Sequence, residues 1–202
     1  MDSIGPLYRY LNKFVHLTTD EFDEIIKPRV IIRHFGKKEM ISEDAVVENY
    51  FNFLLKGAAR KFYKNGTGEV ITQIAQEGQI IMVEDSFLSR RPSSYCVETI
   101  EPVSAASITY NDLEHIYSSN AKMERMGRLV VTTMMVLRER WQTQLIKLTP
   151  RERFIKFVHS HPALIQRVPQ KHLASYLNIQ PETFSRFKHL LKGSPRVQQE
   201  RG

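Results

Sequence analysis

The sequence predicts an α+β protein in which an antiparallel β-barrel is followed by a long helix and a helix-turn-helix. Short strand-like segments with turn residues between them fill residues 30–109, as in antiparallel barrels and sandwiches. Apolar residues then recur at steps of three and four over residues 123–145, which predicts one long helix. Two short helical segments joined by a tight turn occupy residues 168–191. We therefore expect domains at 1–110, 111–148 and 149–202.

The barrel region is preceded by helical sequence and contains eight candidate strands. Residues 7–26 have helical spacing, with a new helix start capped by Thr18 or Thr19 and an end at Pro28. Asn65-Gly66 is a hairpin signal. After the sixth strand the sequence reads as a polar loop up to Ser94. The predicted strands are 30–35, 40–41, 50–55, 58–63, 70–75, 80–83, 95–99 and 103–109.

The long helix of residues 111–148 carries an apolar stripe that resembles a coiled-coil seam. We favour pairing of this helix with a second copy, because so long a stripe is hard to cover with the chain available. The alternative is a helix that packs on its own barrel. The predicted dimer seam consists of Met126, Val130, Thr133, Leu137 and Trp141.

Thr149-Pro150 ends the long helix, and a third helix over 151–160 ends before Pro162. Residues 168–191 then show helix-turn-helix spacing, although an ordinary helical hairpin is the alternative. Asn178 lies at the turn position that needs a positive φ. Pro169 and Pro181 each suit the first position of a helix. The expected internal contacts are Leu173, Ala174, Leu177, Ile179, Phe184 and Phe187.

The net charge of +7 is concentrated in the carboxy-terminal quarter of the chain. Residues 149–202 hold 10 of the 29 basic side chains but only 3 of the 22 acidic ones, so the remainder of the chain is balanced. A concentrated basic surface is what contact with phosphates requires. This distribution makes nucleic acid the expected partner.

Several other classes of protein are disfavoured by the sequence. The single cysteine, Cys96, excludes an internal disulfide framework and a four-cysteine iron–sulfur cluster. No apolar run is long enough to span a bilayer and no secretory signal is visible, so we expect a cytoplasmic protein without a membrane partner. His159 and His161 have HxH spacing but no third ligand, so we predict no metal site. No nucleophile elbow or phosphate loop is present, and we predict no enzymatic activity.

Six segments of this sequence together resemble the Crp/Fnr superfamily of bacterial transcription regulators. The resemblance covers essentially the full chain and is closest to the branch common in Bacteroidetes-type bacteria. The six segments are residues 48–57 (ENYFNFLLKG), 77–81 (EGQII), 86–88 (SFL), 91–93 (RPS), 150–157 (PRERFIKF) and 168–191 (VPQKHLASYLNIQPETFSRFKHLL).

The resemblance implies a jelly-roll barrel of the cyclic-nucleotide-binding type and a homodimer formed by parallel long helices. The second helix of each helix-turn-helix would enter the major groove of a palindromic operator, with RNA polymerase as a further partner. Glu182 and Arg186 match the family's base-reading positions, and their groups suit cytosine N4 and guanine O6/N7. Pro181 stands where the family often has a further base-reading Arg. The other predicted DNA contacts are Gln170, Lys171, Thr183, Ser185, Lys188, His189, Lys192 and Arg196.

The segment matching the family's effector cassette departs from the cyclic AMP pattern. The Gly-Glu-Leu positions hold Met82, Val83 and Glu84, and the Arg-Ser positions hold Ser93 and Ser94, so only one serine matches. We therefore do not predict cyclic AMP binding, and we name no cofactor. The candidate effector-binding residues are Glu84, Asp85, Arg90, Arg91, Ser93 and Ser94.

The sequence after Leu191 is too short and too polar for the β-hairpin wing usual in the superfamily. We expect the wing to be reduced or absent, with a basic tail in its place. This leaves one alternative open. The chain would then be a regulatory module of the same fold that binds a ligand or a protein and no longer binds DNA specifically.

Overall fold

The computed structural model describes residues 3–66 and 68–192, and for residues 189–192 it describes the backbone alone. The architecture is α+β, as predicted: two antiparallel sheets, a long helix and carboxy-terminal helices. The chain divides into two compact units, Met1–Glu139 and Arg140–Gly202. We refer to them as the barrel unit and the basic unit.

The barrel unit contains two four-stranded antiparallel sheets in jelly-roll order, β1-β8-β3-β6 and β2-β7-β4-β5. All eight predicted strands are present, although the sixth is shorter than predicted. Their bounds are β1 Ile31–Phe35, β2 Met40–Ser42, β3 Tyr50–Lys56, β4 Ala59–Asn65, β5 Gly68–Ala75, β6 Ile80–Ile81, β7 Cys96–Thr99 and β8 Val103–Thr109.

Side chains from both sheets form a shared core between them. Leu54, Ile81 and Ala105 from one sheet pack with Ala59 and Val97 from the other, and all five are fully buried. Burial of such apolar surface contributes roughly 25 cal/mol per Å². Strand β8 is nevertheless buried on consecutive residues, because Ala106 and Ile108 on its other face belong to a second core with Leu7 and Leu11.

The helices before the barrel follow the prediction at their start and differ at their end. α1 covers Gly5–Leu11, and α2 covers Thr19–Glu21 with Thr18 as its N-cap in a capping box. Pro28 does not end this helical segment as predicted. A π-helical turn, Phe22–Ile26, leads into a 3-10 turn, Lys27–Arg29, where the missing N–H of Pro28 is tolerated in the first turn.

The predicted polar loop after β6 instead contains a short helix, α3 Glu84–Ser89. It ends at Arg90, whose φ of 58° is left-handed. Acidic residues in its first turn favour a helix N-terminus. Six residues are too few for an apolar period to be visible in the sequence, and this explains the wrong loop prediction.

The predicted long helix is two helices, α4 Tyr110–Ser119 and α5 Ala121–Lys147, separated by Asn120. The Asn120 side chain accepts hydrogen bonds from the backbone N–H groups of Lys122 and Met123 at 3.0 and 3.1 Å. It therefore caps the second helix, because the first N–H groups of a helix have no partner within it.

The first half of α5 packs on its own barrel unit, which corrects the predicted dimer seam. Met126 and Val130 are 4% and 3% exposed, in a core formed with α1, the π-helical turn and the barrel. A helical stripe predicts an apolar partner but not which partner, and here Leu7, Leu11 and Phe51 supply it. The alternative of a helix covered by its own barrel is therefore correct for these two residues.

In the described part of the basic unit, four further helices follow the end of α5. They are α6 Pro150–Ser160, α7 Pro162–Arg167, α8 Gln170–Tyr176 and α9 Pro181–Lys192. Thr149 caps α6 in a capping box with Glu152, which confirms the predicted break at Thr149-Pro150. The sequence prediction missed α7, since Pro162 begins this short helix as well as ending α6.

Candidate nucleic-acid interface and sensor cassette

The predicted helix-turn-helix is formed by α8, a turn at residues 177–180 and α9. Asn178 has a φ of 51°, as the turn prediction required. The N–H of Ile179 donates to the carbonyl of Ala174 at 2.9 Å, which closes the turn on α8. Pro181 begins α9 as predicted, whereas Pro169 is the N-cap of α8 and not its first residue.

Five of the six expected internal contacts are buried in the structure. Leu173, Ala174, Leu177 and Phe184 are all fully buried, Ile179 is 8% exposed, and Phe187 is half-buried. The ring of Phe154 on α6 packs edge-on against Phe184, with centroids 5.1 Å apart. This core fixes the orientation of α9, because the buried and exposed faces of a helix are set by its 3.6-residue period.

The face of α9 opposite Phe184 carries the predicted base-reading residues. Glu182, Ser185 and Arg186 are exposed, and Thr183 and Lys188 are half-buried at its edges. Glu182 and Arg186 are four residues apart and so lie on one side of the helix. We call Glu182, Ser185 and Arg186 the reading face. It presents one carboxylate, one hydroxyl and one guanidinium, groups that hydrogen-bond to base edges.

The other predicted DNA contacts lie near this helix or beyond the described side chains. Gln170 and Lys171 are exposed in the first turn of α8. His189 and Lys192 belong to α9, but only their backbone is described. Arg196 lies outside the described residues, as does the segment in which we expected the wing to be reduced or absent.

Two of the predicted effector-binding residues around α3 are held by contacts with other parts of the protein. Arg90 donates to the carbonyls of Glu48 and Phe87 at 2.8 and 3.0 Å, and its guanidinium lies 4.2 Å from the centroid of the Tyr110 ring. The buried Ser93 hydroxyl donates to the carbonyl of Tyr95 at 2.8 Å. These two predicted effector-binding residues are therefore engaged in holding the loop.

Glu84 forms an ion pair with Lys61 of β4, whose side chain is 6% exposed. Lys61 also donates to the carbonyl of Met82 at 3.2 Å, and Arg138 of α5 lies 3.9 Å from the same carboxylate of Glu84. Burial lowers the pKa of Lys61, and the charge of Glu84 opposes this shift. The remaining predicted effector residues, Asp85, Arg91 and Ser94, are exposed.

Sequence reasoning missed three residues that organise this cassette: Glu48, Lys61 and Ser86. The Ser86 hydroxyl donates to the carbonyl of Arg91 at 2.6 Å and accepts from the N–H of Glu48 at 2.9 Å. The carboxylate of Glu48 accepts from Ser42 and from the N–H of Tyr50. All three are buried polar residues in strand-rich sequence, and no local pattern distinguishes them from exposed ones.

Within residues 3–66 and 68–192 no group of three or more His, Cys, Asp or Glu side chains is arranged to hold a metal ion. Of the described helices, none combines the length and the apolar character needed to cross a bilayer.

No family model matches this chain, and no curated protein matches it in sequence. Its fold, however, is similar to that of solved structures that include a protein of the Crp/Fnr family and a cyclic nucleotide binding protein.

Three solved structures carry this comparison. FixK2 from Bradyrhizobium japonicum superimposes with a TM-score of 0.68 at 19% identity, over 81% of this chain and 84% of that one. The c-di-GMP-responsive global regulator CLP of Xanthomonas campestris gives a TM-score of 0.63 at 12% identity, over 94% and 92%. A protein of Eubacterium rectale assigned to the Crp/Fnr family of transcriptional regulators gives 0.65 at 13% identity, over 91% and 88%.

Proposed function

We propose that this protein is a DNA-binding transcription regulator of the Crp/Fnr type rather than an enzyme. The observation that carries the proposal is the reading face of α9, which is exposed on a helix fixed by a buried helix-turn-helix core. The surrounding basic unit holds the whole of the excess positive charge, which favours contact with phosphates. We expect Arg186 to donate hydrogen bonds to O6 and N7 of a guanine, and Glu182 to accept a hydrogen bond from N4 of a cytosine.

Arg186→Ala is expected to weaken binding to a selected DNA site by about 1–3 kcal/mol and to relax the preference at one base pair. The site is first selected from random duplexes with the full-length protein, and affinities are then measured by fluorescence anisotropy at fixed salt. Arg128→Ala is the matched control, because Arg128 is an exposed arginine of α5 in the barrel unit. An equal loss on random DNA would assign Arg186 to a phosphate instead.

We propose further that the protein acts as a homodimer held by the exposed part of α5. Met135, Val136 and Leu137 are consecutive apolar residues, and they are 68%, 42% and 57% exposed. Exposed apolar clusters of this kind mark protein interfaces. Leu137 and the half-buried Thr133 are the members of the predicted seam that stay available for such a contact.

Three further predictions stay predictions. They are the domain bounds at 110 and 148, RNA polymerase as a partner and a cytoplasmic location.

Leu137→Glu is expected to convert the dimer to a monomer in sedimentation velocity, because a charge would be buried without a partner. Gln142→Glu is the matched control, since it adds the same charge at an exposed position roughly 140° around the helix. Val130 is unsuitable for this test, because it belongs to the core of the barrel unit. A dimer that persists in Leu137→Glu would place the interface elsewhere.

A further inference from the structure

Arg153 of α6 is a buried arginine whose hydrogen bonds join two separate segments of the basic unit. Arg153 is only 7% exposed. It donates to the carbonyls of Leu145 and Leu148 at 3.1 and 2.6 Å, at the end of α5. It also donates to the carbonyls of Leu177 and Asn178 at 2.9 and 3.0 Å, at the turn of the helix-turn-helix.

These acceptors are carbonyls that helix geometry leaves in need of a donor. The last carbonyls of a helix have no partner within it, and they carry the negative end of the helix dipole. Leu145 lies in the last turn of α5, and Leu177 is the C-cap of α8. The planar guanidinium has five donors in a rigid fork, so it reaches both segments at once, whereas the ammonium of a lysine is a compact point charge.

An aromatic pair makes a second link between the same two segments. The rings of Trp141 on α5 and Tyr176 on α8 are stacked, with centroids 4.3 Å apart and planes at 9°. Burial raises the pKa of Tyr176. Phe157 of α6 completes the group, with its ring edge-on to Tyr176 at 5.9 Å.

We propose that Arg153 is the positioning residue that locks the helix-turn-helix onto the last two turns of α5. The connection at Leu148–Thr149 is then rigid, and the orientation of α9 is fixed relative to the last two turns of α5. Arg153 contacts no DNA in this scheme, because its guanidinium is buried and donates its four hydrogen bonds to carbonyls of the protein. The inference rests on the proposed DNA-binding function but is testable without DNA, because it concerns the joint itself.

The chain's single tryptophan, Trp141, reports directly on this joint. We would compare the full-length protein with Arg153→Lys, and use Arg151→Lys as the control on an exposed arginine of the same helix. Arg153→Lys is expected to retain helical circular dichroism while acrylamide quenching of Trp141 rises at least twofold. Its affinity for the selected DNA site is expected to fall at least tenfold, with base preference unchanged. Quenching equal to that of the wild type would overturn the proposal.

Hydrogen exchange on the wild-type protein decides the case in which Arg153→Lys fails to fold. A rigid connection requires the amides of residues 145–149 to exchange as slowly as those of α8, because both segments would open in one cooperative event. Faster exchange at Leu148 and Thr149 than in α8 would mean a flexible linker and overturn the proposal. If the wild type selects no DNA site, the proposed function fails, while the Trp141 and exchange measurements still decide the role of Arg153.

Discussion

Glu84→Gln is expected to destabilise the barrel unit by about 3 kcal/mol, because it leaves the ammonium of Lys61 buried without its carboxylate. Removing one partner of a buried ion pair typically costs about 3–5 kcal/mol. We expect the lower end of this range, since the side chain of Glu84 is 24% exposed and Lys61 keeps its bond to the carbonyl of Met82. The measurement is urea unfolding followed by circular dichroism.

A double-mutant cycle isolates the pair from the rest of the cassette. Lys61→Met combined with Glu84→Gln is expected to be more stable than Glu84→Gln alone, because no unpaired charge is then buried. Glu124→Gln is the control, since its pair with Arg128 is exposed and 3.7 Å long, and we expect a change within about 0.5 kcal/mol. Strict additivity of the two single changes would mean that Lys61 and Glu84 do not interact.

The pH dependence of Glu84→Gln has a definite sign. The pKa of Lys61 is already below 10.5 in the folded protein, and loss of Glu84 lowers it further. Between the folded pKa and 10.5 the unfolded chain binds more protons than the folded one, so stability rises with pH in that window. Glu84→Gln is therefore expected to regain stability as the pH approaches 10.5, which Lys61→Met cannot do.

Phe154→Ala is expected to destabilise the basic unit by about 3–5 kcal/mol, the usual cost of deleting a buried phenylalanine ring. Phe154 is 2% exposed and packs against both aromatic residues of α9, Phe184 and Phe187. DNA binding is expected to disappear with the orientation of α9. Because Trp141 lies in the basic unit, its fluorescence during urea unfolding measures the stability of this unit.

Ile155→Ala is the matched control for this experiment. Ile155 is the next residue of α6 and is 39% exposed, so its truncation opens no buried cavity. We expect a change of less than about 1 kcal/mol, in line with partly exposed positions. Similar losses for the two variants would mean that Phe154 does not anchor α9.

The strands and the helix-turn-helix could be predicted because their signals are local. Strands β1 and β3 end directly before Gly36 and Gly57, and β8 begins directly after Pro102. Asn178 marks a turn with a defined φ. Gly57 is required in place: with its φ of 88°, a Cβ there would lie 2.2 Å from the carbonyl oxygen of Pro102. Signals of this kind act between neighbouring residues, and the sequence displays them directly.

The missed features depend on residues that are distant in sequence. Glu84 of α3 is paired with Lys61 of β4, and the sequence near either residue does not indicate the partner. The apolar face of α5 was visible, but its cover came from Leu7 and Leu11, more than a hundred residues earlier. Short helices such as α3 lack a full apolar period. Long-range contacts therefore account for the missed ion pair and for the cover of α5, whereas the missed helix α3 was too short to show a period.

The pairing of β1 with β8 also bears on how the protein is made. Ile31 lies opposite Ser107, and β8 is hydrogen-bonded on its other side to β3, so β8 is the central strand that joins β1 to its sheet. At a synthesis rate of about 5–20 residues per second, β1 waits several seconds at the ribosome before its neighbour is made. Within its described residues the basic unit consists of the end of α5 and four short helices, and helical topologies with local contacts fold fast. The helical unit that is synthesised after the barrel is thus the one with the simplest route to its native structure.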